Sequence, residues 1–215
     1  MKSEARKDFN KNSQQWDAEL FRVNLARGVA ETIIREVNLS KDMVALDFGC
    51  GTGLLTLNLQ PLVGTITGVD SSPGMLAVLE EKIRTQGLTN VRTAFVDFEK
   101  GDRIEEKFHL IVCSMALHHV PETAALFSLW YEMLLPGGQL CFADLDTEDG
   151  SFHSDKTGVF HFGFDRQHLR KLLHGTGFAD VSDTTATTVS RDVEGKGKCE
   201  FPVFLIVARK KKGMT

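Results

Sequence analysis

Four cysteines are scattered through 215 residues, and no two of them form a C-x-x-C pair. Cys50, Cys113, Cys141 and Cys199 therefore build neither a zinc site nor a disulfide framework. Three of them lie in or at the ends of apolar runs, where a free thiol packs as a small hydrophobe. A reducing cytosol is the simplest home for such a chain. No apolar run approaches the ~18 residues needed to span a bilayer. The opening MKSEARKDFNKNSQQ lacks an apolar h-region, so no secretory signal is expected. Net charge is only −4, which gives no ground to expect a nucleic-acid-binding face. The one basic run, Arg209–Lys212, reads as a solvated tail. Repeats and low-complexity segments are absent, and the length fits one domain with a substantial core.

What is present centres on Met43–Leu59, MVALDFGCGTGLLTLNL. Met43 to Phe48 is a short apolar run broken only by Asp47, and its length and flanks suit a buried strand. Gly49, Gly51 and Gly53 alternate after it, and Leu55 and Leu59 then fall on one helix face before Pro61. The reading is strand, tight turn, helix. Glycines there let a ligand approach the main chain. The pyrophosphate fingerprint G-x-G-x-x-G is not met, because the third glycine comes one position early and Leu54 stands in its place. Asp47 would repel a pyrophosphate but can accept hydrogen bonds from an ammonium group.

This stretch resembles motif I of the class I S-adenosylmethionine-dependent methyltransferases, acidic-x-Gly-x-Gly-x-Gly. Gly64–Val69 reads as a second strand ending in Asp70, nineteen positions after Gly51. That is about where a ribose-binding acid belongs in a nucleotide-binding unit. Ser71-Ser72-Pro73 caps a helix running to Gln86, with Gly87 at its end. The resemblance places the cofactor against Asp47, Gly49, Cys50, Gly51, Thr52, Gly53, Asp70 and Ser71; Met75, in the first turn of the helix, is placed to lie over an adenine ring, the competing reading being a core methionine. It adds Asp97 at the adenine amino group and Phe98 packed on the ring, after a third strand Val91–Val96. Phe9-Asn10, Ser13 and Trp16-Asp17 match a flap of the form F-(D/N)-x-x-(A/S)-x-x-W-D over the cofactor; the competing reading has Trp16 only packing a helix onto the core.

Phe108–Cys113 is the fourth strand, and Ser114-Met115-Ala116-Leu117-His118-His119 after it is similar to the ubiquinone/menaquinone-type branch. That similarity puts Ser114, Met115 and Leu117 beside the cofactor. The N-P-P-(Y/F) element of DNA and protein amino methylases is missing, which disfavours those substrates. A helix from Pro121 and Thr123 carries Leu126, Leu129, Trp130, Met133 and Leu134, and the turn L-L-P-G-G-Q-L leads to a fifth strand, Gln139–Ala143. Alternating strands and helices predict a parallel sheet covered on both faces. Phe178–Thr188 and Phe201–Arg209 read as two closing strands around a charged loop, Ser190–Cys199. The expected fold is thus a three-layer α/β/α Rossmann-like methyltransferase fold. Its seven-stranded sheet is mostly parallel, with a C-terminal antiparallel hairpin.

The expected plan is a single domain with four parts: a flap and helix over 1–37, a cofactor half over 38–144, a substrate-side insertion over 145–163, and a helix with hairpin over 164–215. The insertion is long and polar, as functional loops are, and holds His153 and His161. A proton acceptor is needed only if the acceptor molecule must lose a proton. His118, His119, His153 and His161 are the side chains suited to it, with His119 the chosen one. The competing reading makes His118 and His119 structural. No ligand spacing supports a metal site built from these histidines with Asp144, Asp146 or Asp155. The resemblance implies a cytoplasmic enzyme, monomer or homodimer, that moves a methyl group to a small molecule and releases S-adenosylhomocysteine. Rival functions are a catalytically silent cofactor-binding module, an NAD(P)-dependent oxidoreductase, and an aminopropyltransferase. The acceptor itself is not legible.

Overall fold

In the computed structural model of this chain, residues 7–213 are described; the first six residues of the expected flap segment lie outside them. Strand β1 (Val44–Phe48) is central because alternate side chains feed two different cores. Leu46 and Phe48 enter one cluster and Ala45 the other, as the two-residue strand period requires. Around it stand β2 (Thr65–Asp70), β3 (Val91–Phe95), β4 (Phe108–Ser114), β5 (Leu134–Leu145), β6 (Ala179–Val193) and β7 (Gly197–Arg209). Among the described residues these form one sheet in the order β3-β2-β1-β4-β5-β7-β6. The first five strands run parallel, and β7 pairs antiparallel with both β5 and β6.

One face is covered by α1 (Leu20–Glu36) and α2 (Leu54–Leu59). Leu25, Val29 and Ile33 recur at four-residue steps and bury against Ala45, Val112 and Leu205. The other face carries α4 (Thr123–Met133) and α5 (Arg166–Thr176), where Phe127 and Trp130 are fully enclosed against Phe142. Helix α3 (Pro73–Gln86) begins where Ser72 Oγ accepts from the Met75 amide, and ends at Gly87 in the left-handed region. This is the expected three-layer arrangement. Among the described residues no helix is long and apolar enough to cross a membrane. All four cysteines are free, and three are buried.

Two expectations are corrected. The charged stretch Ser190–Cys199 is not a loop: the ladder continues through Arg191↔Cys199 to Val193↔Gly197. Backbone pairing needs no apolar face, and positive φ at Gly195 and Gly197 closes a turn over residues 194–196. The L-L-P-G-G-Q-L segment is likewise the irregular start of β5, joined to β4 across a register shift at Phe108/Leu110.

Candidate cofactor and acceptor cavity

The carboxyl ends of β1, β2 and β4 open on one cavity of about 850 Å³, where ligands gather in open α/β sheets. The turn after β1 lines it with bare backbone. Gly51 holds φ +53°, and a Cβ there would meet nothing nearer than Met75 Sδ at 4.0 Å. The peptide at Gly51 therefore faces open space that the protein does not fill. Gly53, at φ +83°, caps α2 and packs so closely on Leu79 that a side chain would collide.

Asp47 is 1% exposed at the end of β1 and accepts from Thr56 Oγ1 at 2.5 Å. Burial drives its carboxyl up to about 7; the Thr56 hydrogen bond opposes this, and the like charge of Asp70 adds to it. Asp70 ends β2 and accepts from the amides of Gly51 at 2.9 Å and Ser72 at 2.8 Å. These two amides fix the Asp70 carboxylate beside the glycine turn.

The segment Phe9–Ala18 is a 3₁₀ helix that lines the cavity through Phe9, Asn12 and Trp16. Asn10 Oδ1 accepts from Ser72 Oγ at 2.9 Å and the Gly74 amide at 2.8 Å. Thr52 Oγ1 and Lys82 Nζ both donate to Asp17, at 2.6 and 2.5 Å. The two ends of the flap motif are thereby tied to the start of α3 and to the glycine turn. Trp16 lies between those anchors, its ring 3.5 Å beneath the Arg22 guanidinium.

Three histidines meet on the far side. His118 is buried, and its Nδ1 lies 2.8 and 3.0 Å from the two oxygens of Asp144. Asp144 also accepts from the amides of His118 and Leu145. Burial pushes the Asp144 carboxyl upward, but the charge and hydrogen bond of His118 outweigh it and hold it below the usual range. His119 donates Nδ1–H to the Gly158 carbonyl at 2.6 Å. Burial first, then the neighbouring His118, lowers His119 to about 4. His153, whose ring sits 4.7 Å from that of His118, is lowered to about 3 by the same causes.

Most residues expected from sequence come together here. Trp16, Asp47, Gly49, Cys50, Gly51, Thr52, Asp70, Ser71, Met75, Phe98, Ser114, Met115 and His119 all line the cavity. Three do not. Gly53 serves the α2 cap, Leu117 is core, and Asp97 sits beside the wall with Lys100 Nζ 3.2 Å away. Met115 holds φ +54°, a strained value for a non-glycine residue at a strand end. Arg22, Arg191 and Phe152 line the cavity without having been expected there, and Asp144, weighed from sequence only as a metal ligand, instead holds His118. Asp144 carries the signal that marked Asp47, an acid closing an apolar strand. Among the described residues no group of three His, Cys, Asp or Glu side chains is arranged to hold a metal.

Residues 45–138 match the family described as a methyltransferase domain. Over that span the chain is similar to a methyltransferase domain. An uncharacterised methyltransferase of Schizosaccharomyces pombe is 36% identical over 154 residues, 65% of this chain and 54% of that protein. A ubiquinone biosynthesis O-methyltransferase of Pseudomonas fluorescens is 31% identical over 115 residues, 53% of this chain and 49% of that one. The chain thus spans about half the length of these curated relatives. A SAM-dependent methyltransferase from Aquifex aeolicus shares the fold, with TM-score 0.69 at 20% identity over 94% of this chain and 99% of the other. The matched span runs from β1 to the irregular start of β5. Flap, insertion and hairpin lie outside it.

Proposed function

We propose that this chain transfers a methyl group from S-adenosylmethionine to a small-molecule acceptor by in-line displacement, leaving S-adenosylhomocysteine. The observation that carries this reading is the cavity at the strand tips, where Asp47, the bare Gly51 peptide and Asp70 face one space under a tethered flap. The residues fit that cofactor. Asp47 is a buried acid whose charge is costly until a cation arrives, as an amino-acid ammonium would. Asp70 brings a carboxylate, the acceptor that ribose hydroxyls call for, to the same cavity, and Met75 and Phe98 supply apolar surface for a base.

The bound cofactor supplies an electrophilic sulfonium methyl. The chain supplies position, with water kept out by the flap. Where the acceptor must lose a proton, the geometry favours His118 Nε2 as its receiver. Asp144 orients Nδ1–H and stabilises the imidazolium that forms. His119, the residue expected from sequence, has only a carbonyl at Nδ1 and a lowered proton affinity, which weighs against it. In this reading the four parts of the chain act as one unit, cytoplasmic and either monomer or homodimer. Free thiols on apolar strands support a reducing compartment.

The test is transfer of a labelled methyl group from S-adenosylmethionine across a panel of phenols, carboxylates, amines and thiols. Turnover of a member supports the reading. Tight cofactor binding with no turnover across the panel would favour a silent binding module instead.

A further inference from the structure

We infer that the methyl acceptor is a flat anion, held through its acidic group by Arg191. This rests on the methyltransferase reading and names the substrate class for the same cavity. The wall beyond the cofactor turn is a closed circuit of ring contacts. From Arg22 it passes through Trp16 to Phe9, with ring centroids 5.9 Å apart, and on to His119 at 5.1 Å. The histidine cluster leads to Phe152, whose ring is 4.9 Å from that of His153. Arg191 lies 5.1 Å over Phe152 and 5.2 Å over Phe21, and Arg22 closes the circuit 5.4 Å over Phe21. Every member lines the cavity. Such a collar offers π faces on all sides, which suits a planar molecule.

Charge selects among planar molecules. Lys7 is paired with Asp155 at 3.4 Å and Arg22 with Glu19 at 2.9 Å. Arg191 has no carboxylate within salt-bridge distance among the described residues. Its Nη1 donates to the Phe152 carbonyl at 2.5 Å. A guanidinium has five N–H donors in a fork that matches a carboxylate or phosphate. Burial, opposed by Glu19 and Asp17 and aided by the like charge of Arg191, holds Arg22 below its ordinary value, so the two guanidiniums sense one another across the collar. The buried Nε2 of His153 has no partner among the described residues, a second polar atom open to a ligand. Arg191 reaches the cavity through Phe152, next to His153 and so beside the proton-accepting cluster. This places the anion on the acceptor rather than on the cofactor.

The test is calorimetric titration of 2-naphthoate, 2-naphthyl phosphate and neutral 2-naphthamide into the S-adenosylhomocysteine-loaded protein. At least one anion is expected to bind about tenfold or more tighter than the amide, the size of a charge-assisted pair. Arg191→Gln should erase that preference without changing S-adenosylhomocysteine affinity, and Arg191→Lys should keep part of it. Equal binding of anions and amide by the parent protein overturns the inference. So does an Arg191→Gln variant that loses S-adenosylhomocysteine but keeps the anion preference, since the arginine would then serve the cofactor's own carboxylate. If Arg191→Gln does not fold, the anion–amide comparison in the parent protein and Arg191→Lys decides. Failure of the parent to bind S-adenosylhomocysteine would remove the methyltransferase reading alone, and the anion preference is then read from the same titrations on the unloaded protein.

Discussion

Replacing Asp47 by Asn should make the ligand-free protein more stable while weakening its hold on the cofactor. Burial raises the Asp47 carboxyl from 3.8 to about 7. Below pH 3.8 both folded and unfolded chains carry the proton, and the residue costs nothing. Between 3.8 and 7 the unfolded chain releases it and the folded chain keeps it, so stability falls as pH rises. At about 1.4 kcal/mol for each unit, the loss reaches about 4 kcal/mol above pH 7. An amide keeps an acceptor for Thr56 Oγ1 and carries no charge. Asp47→Asn should therefore gain about 4 kcal/mol at pH 8, roughly 10 °C in melting temperature for a chain of this size, and close to nothing at pH 4. The same argument couples binding to protons. Near pH 6 an arriving ammonium must drive about one proton off Asp47. The calorimetric enthalpy of S-adenosylhomocysteine binding should then vary with the ionisation heat of the buffer, and affinity should rise toward pH 7. Denaturation of both proteins across this pH range decides the matter. A variant equally or less stable than the parent at pH 8, with binding heats independent of buffer, refutes the reasoning.

On the proposed reading, Asp70→Ala removes the acceptor for ribose hydroxyls and should weaken S-adenosylhomocysteine by about tenfold to a hundredfold in calorimetry. Asp144→Asn strands His118 in a buried site; turnover of acceptors that must lose a proton should fall by about a hundredfold or more, with cofactor affinity retained. The same variant should lose on the order of 3 kcal/mol of stability, because one partner of a buried pair is left uncompensated. Asp17→Ala cuts the tie to Thr52 and Lys82. Because that pair is partly exposed, it should cost under about 1 kcal/mol of stability, yet stopped-flow should show faster release of the cofactor.

The layers and the position of the cavity were legible because they follow from local patterns. Apolar strands alternating with helices specify a covered parallel sheet, and Asp47, Asp70 and Ser114 each close such a strand, so the topology brings them to one edge. What escaped depended on pairing across long stretches of chain. Nothing local in Phe152 or Arg191 announces that they meet over 39 positions, nor in Asn10 that it meets Gly74. The hairpin was drawn too short because Ser190–Cys199 is charged, and a ladder on an exposed edge is held by backbone hydrogen bonds, to which side-chain polarity is blind. Leu117, by contrast, was expected at the cofactor by resemblance, and its fully buried side chain packs with Trp130 and Phe142 in the core.

The central claim is that the tips of β1, β2 and β4 hold an adenosyl group and its amino-acid tail. A crystal structure of the chain with S-adenosylhomocysteine tests it most directly. The account expects the ammonium within hydrogen-bond distance of Asp47, the ribose hydroxyls on Asp70, and the flap closed over both. A ligand bound at another edge of the sheet, or a cavity left empty at saturating ligand, contradicts it.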